Sequence, residues 1–204
     1  MSETRHGIIP DEAAARARLG IAPVARALHT LRVGPNAVSV AGLALTIAGA
    51  ALLAVDQPWW ALLALLFGST ADAVDGELAR ISGRATTFGA FLDATLDRLS
   101  DAALFVGASL FAFRTGDPLV LAAALWSLVA SFMVSYVRAK AEALARAARV
   151  GLAPREARLS ILLAGIALWA LLGNARLFGL AMAITALLAT ATVVQRVIHV
   201  SRQQ

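Results

Sequence analysis

Nearly half of the chain's thirteen acidic residues fall in one interval, Asp72 to Asp101, within otherwise apolar sequence. Asp72 and Asp75 are three positions apart and Asp93 and Asp97 four, so on helices each pair projects from a single face. A carboxylate in an apolar helix costs about 2.5 to 3.5 kcal/mol at mid-membrane and less near the interface, so the cluster needs protons, arginines or a metal to neutralise it. The short segment 80 to 87 makes the two acid-bearing stretches antiparallel neighbours, with both pairs at one level and able to converge. Carboxylate oxygens gathered in this way suit one or two hard divalent cations, Mg2+ or Mn2+, and two such ions can clamp a transferring phosphoryl group. Gly76, directly after Asp75, and Gly89, four before Asp93, remove side-chain bulk beside the acids and let a phosphorylated ligand approach the backbone. The chain has no cysteine, which excludes a thiol nucleophile or thiolate metal site.

These side chains must be held by elements that belong in lipid. The 204 residues are 59% hydrophobic and 15% charged, more apolar than a soluble core of this size requires. Six apolar stretches, roughly 37–55, 58–79, 88–113, 118–144, 157–173 and 175–200, each approach the ~20 residues that a crossing helix needs. The expected fold is all-α, an integral membrane protein of six transmembrane helices (37–200) in one domain (1–204). Ahead of it, Pro10, Asp11 and Glu12 read as a helix start, and Leu19, Ile21, Val24, Leu28 and Leu31 interleave with arginines. The segment 10–33 is therefore expected to be an amphipathic helix lying on the inner leaflet, and not a cleaved leader.

The net charge of +5 follows topology and is not gathered on a soluble basic face, which argues against a nucleic-acid partner. Arg16, Arg18, Arg26 and Arg32 precede the first stretch, Arg80 and Arg84 lie between the second and third, Arg146, Arg149 and Arg155 lie between the fourth and fifth, and Arg202 closes the chain. The alternate loops hold chiefly Arg114 and Arg176. The positive-inside rule places the protein in the cell membrane with both termini and the acidic cluster on the cytoplasmic side.

Asp72-x2-Asp75-Gly76-x2-Ala79-Arg80-x8-Gly89-x3-Asp93-x3-Asp97 resembles the full signature of the CDP-alcohol phosphatidyltransferase family. The resemblance implies a six-helix membrane enzyme, usually a homodimer, in which an acceptor hydroxyl attacks the phosphorus bearing the lipid alcohol of CDP-diacylglycerol and CMP leaves. It implies that Asp72, Asp75 and Asp93 are metal ligands, and that Asp97 accepts the proton and also touches the second ion. By the same likeness Gly76, Arg80 and Thr86 contact the CDP portion. Pro35-Asn36-x2-Ser39 resembles the family's CDP-lipid contact segment, making Asn36 and Ser39 contacts as well, although Pro-Asn before a helix is also ordinary capping.

Ser135, Arg138, Lys140, Arg155, Arg158 and Arg196 are expected at the depth of the aspartates, and a basic pocket there favours an acceptor that carries its own phosphate. The runs 135–142 and 154–159 and Gln195-Arg196 resemble the phosphatidylinositol phosphate synthases, which use inositol 1-phosphate. That likeness implies that Ser135, Arg138, Arg158 and Arg196, with Arg155 beside them, grip the acceptor phosphate. Two departures stand out: Arg138-Ala139-Lys140 replaces the usual Lys-Ala-Arg, and Pro154-Arg155-Glu156-Ala157-Arg158 replaces Glu-Arg-Pro-Glu-Arg. Glycerol 3-phosphate is the alternative acceptor. A divalent cation transporter is the alternative class, and it leaves Gly76 and Arg80 unexplained.

Overall fold

The computed structural model describes residues 11–83, 86–148 and 150–203, with side chains from Gly20 onward. Pro10, Arg84 and Arg149 lie outside the described residues, as do the side chains of Asp11, Glu12, Arg16, Arg18 and Leu19. The described residues form seven helices and no strand: α1 (Asp11–Thr30), α2 (Pro35–Ala54), α3 (Pro58–Ile81), α4 (Thr87–Thr115), α5 (Pro118–Ala143), α6 (Arg155–Leu172) and α7 (Arg176–Ser201). Local chemistry sets these limits. Pro35, Pro58 and Pro118 open α2, α3 and α5, where a missing N–H breaks no helical hydrogen bond. The Thr86 hydroxyl caps α4 by accepting from the Gly89 N–H at 2.9 Å, and the Asp117 carboxylate caps α5 by accepting from Leu119 and Val120, each at 3.1 Å. Gly116 and Gly173, with φ of 71° and 66°, end α4 and α6 in the left-handed conformation that glycine tolerates.

α2 packs against α3 and α4, α5 against α4 and α7, and α6 against α7 and α3. Small residues allow this close approach. A Cβ on Gly68 of α3 would lie 2.6 Å from Thr46 Oγ1 of α2, and one on Gly107 of α4 would collide with the Ala50 carbonyl. The main core fills the half of the bundle away from Asp72 and Asp93. There Trp169 of α6 sits between Phe111 and Phe178, with ring centroids 4.5 and 5.7 Å away, among Leu53, Leu65, Ile166 and Met182.

At the opposite end α1 turns Ile21, Ala25 and Leu28 onto Val38 of α2 and Val74 and Leu78 of α3. It therefore uses part of its apolar face against the bundle and leaves Val24 exposed, as is Leu31 just beyond its end. Of the six expected crossing helices, three (α2, α5 and α7) are long and apolar enough among the described residues. The reason for the shortfall is charge: α3 and α4 carry the acids from Asp72 to Asp101, and α6 opens with Arg155-Glu156-Ala157-Arg158.

Candidate active site

Three chain segments meet at the end of the bundle where α2 and α4 begin and α3 finishes. They enclose a cavity of about 240 Å³ whose walls include Asn36, Ser39, Asp72, Asp75, Gly76, Thr86 and Asp93. The first turns of α2 and α4 both open on it, and free N–H groups and the positive dipole end of a helix favour an anion such as a diphosphate. Asn36 is not engaged in capping, since Gly34 occupies the cap position of α2 without a side-chain bond. A Cβ on Gly76 would meet no atom within 4 Å, so this glycine packs against no neighbouring helix and presents bare backbone to the cavity. Gly89 differs, because a Cβ there would lie 3.1 Å from Thr86 Oγ1 and press on the α4 cap.

The acids are unequal. Asp75 is buried, with 5% of its surface exposed, and it accepts a short hydrogen bond from the buried Ser39 hydroxyl, which ties α2 to α3. Asp72 of α3 and Asp97 of α4 are joined through a third helix: Arg155 Nη1 lies 2.9 Å from Asp72 Oδ2 and 3.0 Å from Asp97 Oδ1. Asp101 Oδ1 accepts from Nε of the same guanidinium at 3.2 Å, and Arg98 reaches Asp97 Oδ2 at 3.2 Å. Asp93, Asp97 and Asp101 follow one another at four-residue intervals along one face of α4.

Convergence of all four signature acids on one point is not what the described side chains show. Asp72, Asp75 and Asp93 share the cavity wall, while Asp97 meets Asp72 across Arg155. Among the described residues no three acids or histidines are already gathered as a metal cage. The physical reason is repulsion among carboxylates, which the guanidinium relieves by standing between two of them. The same arrangement passes the test of fit to a divalent cation. One positively charged nitrogen contacts acids from α3 and α4 at once, and the donors are all hard oxygens.

The remaining expected site residues are dispersed. Arg80 is exposed at the end of α3 and pairs with Glu77 at 2.7 Å, away from the cavity wall. Arg138 of α5 is exposed and pairs with Glu142 at 3.0 Å, and Ser135 is half-buried on the same helix. Arg158 is buried and donates to the Ala153 carbonyl at 2.9 Å. Arg196 donates to the Val150 carbonyl at 2.9 Å and to that of Val134. These two arginines hold the backbone around the α5–α6 connection, and Arg155 alone of the expected acceptor residues reaches the acids.

Two participants went unassigned in the sequence. Asp101 continues the spacing of Asp93 and Asp97, which is a signal that could have found it. Gln203 offered none: its amide Nε2 donates to the Ala147 carbonyl at 2.7 Å while its Oε1 accepts from the Ala147 N–H at 3.0 Å.

The model of the CDP-alcohol phosphatidyltransferase family matches residues 32–195, and the chain belongs to this family of enzymes. Within it, the chain is 40% identical over 148 residues to the phosphatidylinositol phosphate synthase of Mycolicibacterium smegmatis, covering 72% of this chain and 67% of that protein. The synthase of the same name from Cutibacterium acnes is 41% identical over 153 residues, covering 71% and 70%. The crystal structure of Mycobacterium tuberculosis phosphatidylinositol phosphate synthase with CDP-DAG bound superposes with a TM-score of 0.82 at 33% identity, over 88% of this chain and 92% of that one. The structure of that synthase in complex with manganese and citrate gives 0.82 at 32% identity, over 89% and 88%.

Proposed function

We propose that this enzyme transfers the phosphatidyl group of CDP-diacylglycerol to inositol 1-phosphate, releasing CMP and forming phosphatidylinositol phosphate in the membrane. The observation that carries the reading is the cavity itself: acids on α3 and α4, the bare backbone of Gly76 and two helix N-termini surround a space beside Arg155. The printed activity of relatives near 40% identity supports the same acceptor.

In this reading Asn36, Gly76 and the first turns of α2 and α4 receive the CDP portion, with Ser39 holding Asp75 in place. Arg80, which pairs with Glu77 outside the cavity in this structure, has to turn inward to reach the diphosphate. The acceptor hydroxyl oxygen attacks the phosphorus that bears the diacylglycerol, and the bond from that phosphorus to the CMP oxygen breaks. Its electrons leave with CMP, and Asp97 takes the hydroxyl proton. Asp72, Asp75, Asp93 and Asp97 would hold two Mg2+ or Mn2+ ions, which when bound supply charge neutralisation of the diphosphate and of the departing CMP. Arg155, Arg158 and Arg196, with Ser135 and Arg138, form the acceptor-phosphate side.

The wider setting belongs to the proposal. The single domain 1–204 spans the membrane with all of α2–α7, and α1 lies along the inner surface with Val24 and Leu31 toward lipid. Both termini and the cavity face the cytoplasm, as the arginine distribution favours, and two copies associate as a homodimer. Glycerol 3-phosphate stays as the second acceptor, because Arg158 and Arg196 bond backbone carbonyls here and the motif around Arg155 departs from the synthase pattern.

The deciding experiment supplies the purified chain in mixed micelles with CDP-diacylglycerol, Mn2+ and, separately, inositol 1-phosphate, glycerol 3-phosphate or free inositol. CMP release and lipid mass are followed. Phosphatidylinositol phosphate as the dominant product is the expected result. Phosphatidylglycerophosphate in its place would move the acceptor to the alternative, and no CMP with any alcohol would defeat the reading.

A further inference from the structure

Arg155 is the only described side chain that touches three of the acids, and its two edges do different things. Nη1 faces Asp72 and Asp97, both carriers of the metal in the reading above, while Nε is held by Asp101, which lies outside the family signature. Behind that pair is a small cavity of about 10 Å³ lined by Asp101, Arg155, Arg158 and Ser131. Ser131 Oγ is buried there without a hydrogen-bond partner, which is costly unless a donor arrives to satisfy it. Arg155 Nη1 already occupies the contact position between Asp72 Oδ2 and Asp97 Oδ1, so a metal ion that takes those same two oxygens has to move it.

We propose that Arg155 and a divalent cation are alternative occupants of the space between Asp72 and Asp97, and that Asp101 is a positioning residue that retains Arg155 when the cation displaces it. The Nε edge stays with Asp101, and the released Nη1 edge turns toward Ser131 and the acceptor side. Neutralisation of the acids then passes from an arginine to a metal without leaving either the acids or the guanidinium unpaired. The inference rests on the metal-dependent reading of the site, and its test uses no acceptor alcohol.

The test measures Mn2+ affinity of the purified metal-free chain from the EPR signal of free Mn2+, together with thermal stability with and without Mn2+. Arg155→Met keeps the apolar stem and removes the competing charge. It should tighten Mn2+ binding about five- to tenfold, the size of an ordinary coupling between two sites. It should also lower the melting temperature of the metal-free protein, with the gap to the parent closing once Mn2+ is bound. Asp101→Asn should weaken Mn2+ binding severalfold in the parent but have no effect in the Arg155→Met background.

Equal weakening in both backgrounds would mean that Asp101 acts by charge alone and would overturn the inference, as would a stability gap that persists with Mn2+. Should Arg155→Met fail to fold, Arg155→Gln takes its place as the uncharged background, and unchanged affinity of Asp101→Asn in the parent overturns the inference too. Absence of Mn2+ binding in the parent protein would defeat the metal reading itself, whereas Mn2+ binding without this coupling defeats only the present inference.

Discussion

At Gly76 a methyl group would meet no protein atom within 4 Å, yet the residue lies on the cavity wall beside two acids. Gly76→Ala should therefore leave the melting temperature unchanged or raise it, since alanine favours a helix over glycine by up to about 1 kcal/mol. The same substitution should raise KM for CDP-diacylglycerol about tenfold, a loss of roughly 1.4 kcal/mol in binding. A fall in stability without a change in KM would reassign this glycine to packing. For Asp97→Asn the expectation is a loss of about 10²- to 10⁴-fold in CMP release, with CDP-lipid binding largely kept. Near-normal turnover would remove Asp97 from the role of proton acceptor. Much of this scale is readable in the sequence, because a spacing of three or four fixes which acids share a helix face. The destination of Arg155 is not readable. Spacing along α6 says nothing of how far a long side chain reaches toward α3 and α4, and the neighbouring Arg158 and Arg196 end on backbone carbonyls instead.

Helices carry the second level of the design. The six apolar stretches correspond to α2 through α7 with small shifts at the ends, because proline, capping hydroxyl or carboxylate groups and left-handed glycines mark most of the boundaries. What composition could not supply was the use of each glycine. Gly107 and Gly76 look alike in sequence, but one abuts the Ala50 backbone and the other abuts open space. Gly107→Ala should separate α2 from α4 and destabilise the protein by about 1–3 kcal/mol, as overpacking of a tight contact does. Thermal unfolding of Gly107→Ala beside Gly76→Ala is the direct comparison, and equal stability of the two would contradict the helix contact described here.

Taken whole, the molecule gathers several side-chain restraints around one connection. The connection between α5 and α6 is held by the Gln203 amide on Ala147, by Arg146 on the Gln203 carbonyl, by Arg196 on Val150 and by Arg158 on Ala153. Within it Ala145 has a φ of 54°, a left-handed conformation that alanine adopts only under constraint. Gln203→Ala removes two hydrogen bonds at roughly 1 kcal/mol each. It should lower thermal stability slightly, open 144–154 to limited proteolysis and raise the acceptor KM more than that for CDP-diacylglycerol. Proteolysis identical to the parent would show that the arginines alone suffice. No local pattern reveals this latch, since it joins residues 56 positions apart through a single amide.

Chain order gives the Arg155 bridge a consequence for biogenesis. Arg155 is synthesised 83 residues after Asp72, so the ribosome delivers both acid-bearing helices, with Arg98 beside Asp97, before the guanidinium that bridges them exists. Until α6 emerges, water, a proton or a captured ion has to offset the charge that Arg155 later bridges.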